Sequence, residues 1–174
     1  MIYEYAPKLK KKKEKTLLLA AITVAVLLYA VSRLPGIPYP FIYQLISIFC
    51  LVFVIMLTTR YLMRSYVYRV ESGEDGSAVP DLVIEEYYGN HITTVCRLAL
   101  SDIRSAVRWN AQTKAALAGP MKDKRLYRYT GEFSPADLCV LEADDEGETI
   151  FLRISADDTL MNLILTHGQQ NLSE

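Results

Sequence analysis

The chain has 174 residues, of which 51% are hydrophobic and 22% are charged, and its formal net charge is −1. The charges are segregated. Residues 1–15 carry six Lys against two Glu, residues 16–64 carry three Arg and no acid, and residues 65–174 carry ten basic and eighteen acidic residues. This segregation excludes a single soluble globule, and the regular Val, Ile, Leu and Tyr spacing of the acidic part excludes disorder. The acidic balance also argues against nucleic acid as a partner, because nucleic-acid binding selects clustered Lys and Arg.

Two long uncharged runs predict membrane-spanning helices. Residues 16–32 and 41–59 contain no charged side chain, and as helices rising about 1.5 Å per residue each covers most of a bilayer's hydrocarbon core. Three Pro and one Gly within residues 35–40 cannot continue a helix, so the chain reverses there. The predicted organisation is a basic cytosolic segment (1–15), a transmembrane hairpin (16–64, with spans 16–34 and 41–63) and a cytosolic β-rich domain (65–174).

The positive charges predict the orientation of this hairpin. Six Lys precede the first span, and Arg60, Arg64 and Arg69 follow the second, whereas the turn offers only Arg33. Since positive charge stays on the cytoplasmic side, we expect a multi-pass protein of the cytoplasmic membrane with both termini in the cytosol. A cleaved signal peptide is the weaker interpretation of the first run, because no small-x-small cleavage site stands out and a second span follows at once.

The spans themselves predict an anchor. Neither uncharged run has an intramembrane acid or base that would mark a transport path. The interior candidates for a polar path are Thr23, Gln44 and Ser47, and we interpret them as helix-contact or interfacial residues. A small subunit of an oligomeric transporter remains an alternative, and it requires these three side chains to share a water-lined seam.

The acidic part predicts a β domain closed by one helix. Seven segments alternate with the period of two that is typical of strands, and Gly89-Asn90 is a two-residue hairpin signal between the second and third. A helical turn is predicted over 111–117. From Ser155, a predicted cap, helical spacing continues to Gly168, and this helix is expected to cover an open edge of the sheet. The predicted strands are residues 65–71, 81–88, 92–100, 104–109, 125–133, 137–143 and 149–155.

This strand order, the Ser-Asp-Ile turn at 101–103 and the single C-terminal helix resemble the bacterial pleckstrin-homology-like membrane proteins, in which a helical hairpin precedes a small barrel. The segments that carry the resemblance are residues 81–109 and 149–167, with the hairpin in front. The resemblance implies an α+β membrane protein with a seven-stranded antiparallel barrel and a C-terminal capping helix. It also implies a binding or scaffolding module rather than an enzyme.

One departure from that family concerns the loop between the first two predicted strands. Relatives that bind phosphoinositides place Lys and Arg there, whereas this chain has Glu71, Glu74, Asp75 and Asp81. Carboxylates at these positions repel a phosphate head group. Inositol-lipid binding is therefore not carried over to this chain.

Two basic groups and one aromatic residue are candidate contact sites. The N-terminal Lys-rich segment, which includes Lys10–Lys13, either binds anionic lipid or only sets the orientation of the hairpin in the membrane. The basic group of the β domain either faces the anionic leaflet or is a solvated loop. Trp109 either contacts a partner or packs in or beside the barrel. The predicted membrane-surface residues are Lys10, Lys11, Lys12, Lys13, Lys122, Lys124, Arg125 and Arg128.

No catalytic, metal or cofactor site is predicted. His91 and Cys96 are five residues apart on one predicted strand, so their side chains point to opposite faces, and Cys96 and Cys139 are interpreted as small core residues. The three Cys form no CxxC or Cys/His ligand spacing. We therefore expect a membrane-anchored interaction or scaffold module that contacts the lipid bilayer and another membrane or cytosolic protein, or a second copy of itself. An enzyme or sensor acting on a membrane-near substrate is the second alternative.

Overall fold

A computed structural model describes residues 2–7, 11–73, 79–133, 135–145 and 147–168. The chain is an α+β protein with two apolar helices and two four-stranded sheets. It divides into two compact units. The β-rich unit comprises Met1–Lys8, Ser65–Thr130 and Ser134–Glu174, and the helical unit comprises Leu9–Arg64 and Gly131–Phe133.

Two helices in contact form the helical unit. Helix α1 spans Lys12–Val31 and helix α2 spans Pro40–Leu57, which continues as a π-helical turn over Thr58–Leu62. Pro40 occupies the first turn of α2, where its missing N–H costs nothing. The first helix starts earlier than the predicted residue 16 and ends before the predicted residue 34, because the Lys-rich start is itself helical and the chain tightens into a turn after Val31.

The β-rich unit contains eight strands and two further helices within the described residues. The first sheet has the order β1-β2-β3-β4 and the second has the order β5-β7-β8-β6. A 3₁₀ turn, Leu100–Asp102, connects the sheets. The elements are β1 Tyr3–Tyr5, β2 Arg64–Glu71, β3 Asp81–Tyr88, β4 His91–Ala99, β5 Ile103–Arg108, α3 Ala111–Leu117, β6 Arg125–Tyr129, β7 Leu138–Asp145, β8 Glu148–Ser155 and α4 Asp158–Gly168.

Three features of this unit correct the predicted seven-stranded antiparallel barrel. The described strands form two open sheets, without closure into a barrel. Strand β1 was not predicted, because three residues of a Lys-rich segment show no extended alternation, yet Tyr3–Tyr5 pairs antiparallel with β2. Strand β6 ends at Tyr129 rather than 133. It pairs with β8 in parallel, whereas β8 pairs with β7 antiparallel.

One apolar core lies between the two sheets. Alternate residues of β2, β7 and β8 point into it, among them Tyr68, Leu141 and Leu152, which are at most 1% exposed. The Tyr68 hydroxyl donates to the Tyr129 carbonyl at 2.5 Å and accepts the Ser155 N–H at 3.1 Å. One side chain of the first sheet thereby satisfies two backbone groups of the second.

Helix α4 contacts the edge strand β5, which confirms the expected cover of a sheet edge. Its buried face includes Leu160 and Ile164. The predicted cap, Ser155, was wrong: the Asp157 carboxylate accepts the Leu160 N–H at 2.9 Å, while Ser155 belongs to β8. Asp157 caps the helix rather than Ser155 because it is the residue immediately before α4, within reach of the unsatisfied N–H groups of the first turn.

Two local predictions were confirmed by the structure. Gly89-Asn90 joins β3 to β4, with Tyr88 and His91 as the closing pair and Gly89 at φ +58°. Helix α3 covers 111–117, and Asn110 caps it by accepting the Thr113 N–H at 2.8 Å.

Candidate functional site

The second sheet places two arginines side by side. In β8, Leu152 and Ile154 point into the core, so Arg153 points to the opposite face. The parallel register pairs Arg153 with Arg128 of β6, and therefore both guanidinium groups lie on this outer face. On its other side Arg153 pairs with Val140 of β7, which is buried. Arg153 is therefore half-buried, while Arg128 is exposed.

A tryptophan covers one of these arginines. Trp109 follows β5 and is fixed by its backbone N–H, which donates to the Leu138 carbonyl at 2.8 Å. The Arg153 Cζ lies 4.4 Å from the centre of the Trp109 ring, within the range of a cation–π contact. We call Trp109, Arg128 and Arg153 the Arg–Trp cluster.

The electrostatics of this cluster are unusual for a surface site. Burial, followed by the charge of Arg128, lowers the pKa of the Arg153 guanidinium from its ordinary value. The Nε of Arg153 is buried, and among the described residues no acceptor lies within hydrogen-bonding distance of it. Two like charges in register destabilise a sheet unless something neutralises them.

The other arginines of the β-rich unit differ in this respect. Within the described residues, none of the observed ion pairs involves Arg128 or Arg153, whereas five other arginines of the unit have a carboxylate partner. The observed pairs are Arg69 with Glu4 at 3.0 Å and with Glu85 at 2.7 Å, Arg97 with Glu71 at 3.4 Å and with Asp81 at 3.9 Å, Arg104 with Asp144, Arg108 with Asp158, and Arg125 with Glu148 at 3.5 Å.

The predicted basic group of the β domain does not form one surface. Lys122 and Lys124 lie exposed in the turn before β6. Arg125 and Arg128 are three residues apart on this strand, so they point to opposite faces. Only Arg128 joins the cluster. Arg153 was missed in the sequence, although an Arg inside the apolar run of residues 150–154 was the signal that could have identified it.

The predicted N-terminal run is described in part. Lys10 and the side chain of Lys12 lie outside the described residues. Lys13 is exposed. The Nζ of Lys11 donates to the carbonyls of Leu62 and Arg64, at 2.8 and 3.1 Å, and thus satisfies backbone acceptors at the end of the second helix. Burial lowers the pKa of this ammonium group.

The acidic loop between β2 and β3 is also described in part. Glu74 and Asp75 lie outside the described residues. Glu71 and Asp81 lie 3.4 and 3.9 Å from the guanidinium group of Arg97. The two described carboxylates that flank this loop therefore form ion pairs with Arg97 of the neighbouring strand β4.

The polar residues of the helical unit are engaged within the hairpin. The Ser47 hydroxyl is buried and donates to the Ala25 carbonyl of the other helix at 2.9 Å. The Thr23 hydroxyl donates to the Leu19 carbonyl of its own helix at 2.9 Å. Gln44 is half-buried. Ser47 is thus a helix-contact residue, whereas Thr23 is satisfied locally.

A buried carboxylate lies near the start of α1. Glu14 is 9% exposed and accepts the Phe133 N–H at 2.8 Å. An apolar hollow of about 50 Å³ adjoins it, lined by Leu17, Leu57, Tyr61 and Phe133 together with Lys13 and Glu14. This volume is well below the roughly 300–1,000 Å³ that is typical of ligand pockets.

The cysteines and histidines form no reactive group among the described residues. Burial raises the pKa of the Cys96 thiol to about 11, so it is neutral at pH 7 and a poor nucleophile. Cys139 is fully buried and free, as expected. His91 lies exposed at the β3–β4 hairpin. In the described part of the chain, no group of three metal-binding side chains comes together.

Comparison with known proteins gave no relatives. No protein-family model matches the chain, and no curated protein and no solved structure matches it significantly. The arguments for function therefore come from the geometry of this chain.

Proposed function

We propose that this chain is a membrane-anchored protein whose helices α1 and α2 cross the bilayer as a hairpin and whose β-rich unit is a cytosolic interaction or scaffold module. One observation carries the proposal. In an apolar 18-residue part of Lys13–Val31 only 6% of the residues are buried within the chain, and in the corresponding part of Pro40–Leu62 only 11%. The core helix of a soluble protein would be mostly buried.

The exposed side chains of these helices are large. Leu19, Phe49 and Ile55 are 65%, 66% and 62% exposed. Removing such a side chain from water is worth about 1.5–3 kcal/mol, and many other large apolar side chains along both helices are more than 40% exposed. A lipid environment supplies this stabilisation without any further protein contact.

The distribution of Lys and Arg supports an orientation with both termini in the cytosol. In this proposal the partners are the lipid bilayer and another membrane or cytosolic protein, or a second copy of the chain. The excess of acidic residues in the β-rich unit argues against nucleic acid as a partner. The resemblance to bacterial pleckstrin-homology-like membrane proteins supports the module role. We propose no catalytic activity and no cofactor.

The alternatives receive less support. A transporter subunit needs polar side chains that line a water path. The hydroxyls of Ser47 and Thr23 instead donate hydrogen bonds to backbone carbonyls of the hairpin. An enzyme needs an activated group, and Cys96 is held neutral by burial.

Paired arginine substitutions test the anchor. Phe49 and Val52 lie exposed at the middle of α2, and changing both to Arg places two charges at the bilayer centre, at a cost of roughly 2.5–3.5 kcal/mol each. We expect Phe49→Arg with Val52→Arg to deplete the chain from carbonate-washed membranes. The matched control, Phe41→Arg with Ile42→Arg at the start of α2, is expected to stay, because charges near helix ends reach the interface. Equal membrane retention of both variants would contradict the anchor.

Site-specific crosslinking tests the module. Ile92 is 58% exposed on β4, an edge strand of the first sheet. A photo-crosslinking residue at this position, in native membranes, is expected to give discrete protein adducts. Recovery of uncrosslinked chain alone would count against an interaction role.

A further inference from the structure

The Arg–Trp cluster has a donor that its surroundings leave unused. The Arg153 Cζ lies over the face of the Trp109 ring, 4.4 Å from its centre. A cation–π contact attracts the charge but supplies no oxygen or nitrogen acceptor for the N–H groups of the guanidinium. Among the described residues the buried Nε finds no acceptor, and an unsatisfied buried donor is costly enough to require an explanation.

Within the part of the chain that the structure describes, the neighbouring Arg128 also lacks a counter-charge. The parallel register of β6 and β8 holds Arg128 beside Arg153 on the outer face. None of the ion pairs among the described residues neutralises either group. A bound anion would satisfy the Nε donor and also remove the repulsion between two adjacent positive charges.

The charge of the cluster indicates the class of anion. A single carboxylate would neutralise one of the two arginines. A phosphate group offers three acceptor oxygens and, as a monoester, a charge of about −1.5 to −2 at pH 7, which matches both. The guanidinium fork is also suited to bidentate contacts with phosphate oxygens.

We infer that Arg153 and Arg128 form a phosphate-binding site beside Trp109, on the outer face of the second sheet. This site is distinct from the acidic loop between β2 and β3, where the sequence argues against phosphate. All three residues lie in the β-rich unit. The inference therefore goes beyond the proposed function and does not depend on insertion of the hairpin.

Trp109 provides the measurement, because it is the single tryptophan of the chain. The full chain in detergent micelles is titrated with inorganic phosphate, and the Trp109 emission is followed. Phosphate is expected to move the Arg153 guanidinium against the ring and to change the emission saturably. An unchanged emission, together with no heat of binding by calorimetry, would overturn the inference.

Three variants distinguish phosphate binding at this site from nonspecific electrostatic attraction of phosphate to surface arginines. Arg153→Lys keeps the charge but loses the fork, and Arg128→Gln removes the neighbouring charge; each is expected to weaken phosphate binding roughly ten-fold. The matched control is Arg125→Gln, which removes an exposed Arg of the same strand that already pairs with Glu148 and is expected to leave the affinity within about two-fold. Equal weakening by all three would overturn the site. Arg128 is exposed, so its variant stays informative even if Arg153→Lys unfolds.

A second arm identifies the source of the phosphate group. The same chain in phosphatidylcholine nanodiscs, with or without phosphatidic acid, is measured by Trp109 emission. A change that requires phosphatidic acid and is competed by inorganic phosphate supports a lipid head group at the site. A response to inorganic phosphate with none to phosphatidic acid supports a soluble phosphate compound. A phosphatidic acid response that persists in Arg128→Gln would overturn the assignment to this cluster.

Discussion

Replacing Tyr68 by Phe tests how the two sheets are joined. The substitution keeps the buried ring and removes only the hydroxyl, which donates to the Tyr129 carbonyl and accepts the Ser155 N–H. Tyr68 is 0% exposed. Water therefore cannot replace the lost partners without rearranging the core.

The expected loss follows from these two hydrogen bonds. A buried backbone group left unsatisfied costs about 1–3 kcal/mol, and the substitution removes the partner of two such groups. The free energy of unfolding of the β-rich unit should therefore fall by roughly 2–6 kcal/mol. The surface control is Tyr87→Phe, whose hydroxyl donates to Glu85 at 3.1 Å at a half-exposed position. It should change stability by less than about 0.5 kcal/mol.

The same substitution has a signature at alkaline pH. Burial raises the pKa of Tyr68 well above its usual value of 10.0. Below pH 10 both the folded and unfolded chains hold the phenol proton, and above it the unfolded chain loses the proton first. The contribution of Tyr68 to stability should therefore be level below pH 10 and fall by up to about 1.4 kcal/mol per pH unit above it.

Urea unfolding of the full chain in micelles, followed by Trp109 emission at several pH values, measures both effects. Tyr68→Phe should be less stable at pH 7 and should show a shallower decline above pH 10, because one titrating group is gone. A variant as stable as the parent at pH 7, or with an unchanged alkaline decline, would show that Tyr68 does not join the sheets in this way.

Three further substitutions have expected outcomes. Ser47→Ala should weaken the contact between the two apolar helices by about 0.6–1 kcal/mol, as measured by steric trapping in bicelles. Thr23→Ala should leave this contact unchanged, because the Thr23 hydroxyl donates to a carbonyl of its own helix. Asp157→Ala should cost about 1–2 kcal/mol in urea unfolding, since it removes the cap of α4; a neutral result would mean that the cap contributes nothing. Gly168→Ala should lower the thermal midpoint because a Cβ there would lie 2.9 Å from a backbone carbonyl, whereas Gly119→Ala, which meets nothing within 4 Å, should not.

The local elements were predictable because their signals are local. The charge-free runs and the Pro-rich turn predicted two apolar helices, and Gly89-Asn90 predicted its hairpin. The pairing of distant strands has no such signal. The parallel register of β6 with β8 depends on packing across residues 125–155, and no alternation pattern distinguishes a parallel from an antiparallel neighbour.

The same reasoning explains what was found and missed at the candidate site. Lys122, Lys124, Arg125 and Arg128 are close in sequence and were grouped, but a strand sends alternate side chains to opposite faces. Arg153 lies 25 positions after Arg128 and meets it only through the sheet. A site built across two strands is therefore visible in the register and not in the spacing of residues.

Cysteine labelling in intact cells tests the central claim, the crossing of the bilayer by α1 and α2. In a background without native cysteines (Cys50→Ala, Cys96→Ala, Cys139→Ala), single cysteines are placed at Pro38, exposed in the turn, and at Gly119, exposed in the β-rich unit. A membrane-impermeant maleimide should modify Pro38→Cys in intact cells and Gly119→Cys only after permeabilisation. Modification of Gly119→Cys in intact cells, or of Pro38→Cys only after permeabilisation, would contradict the proposed crossing.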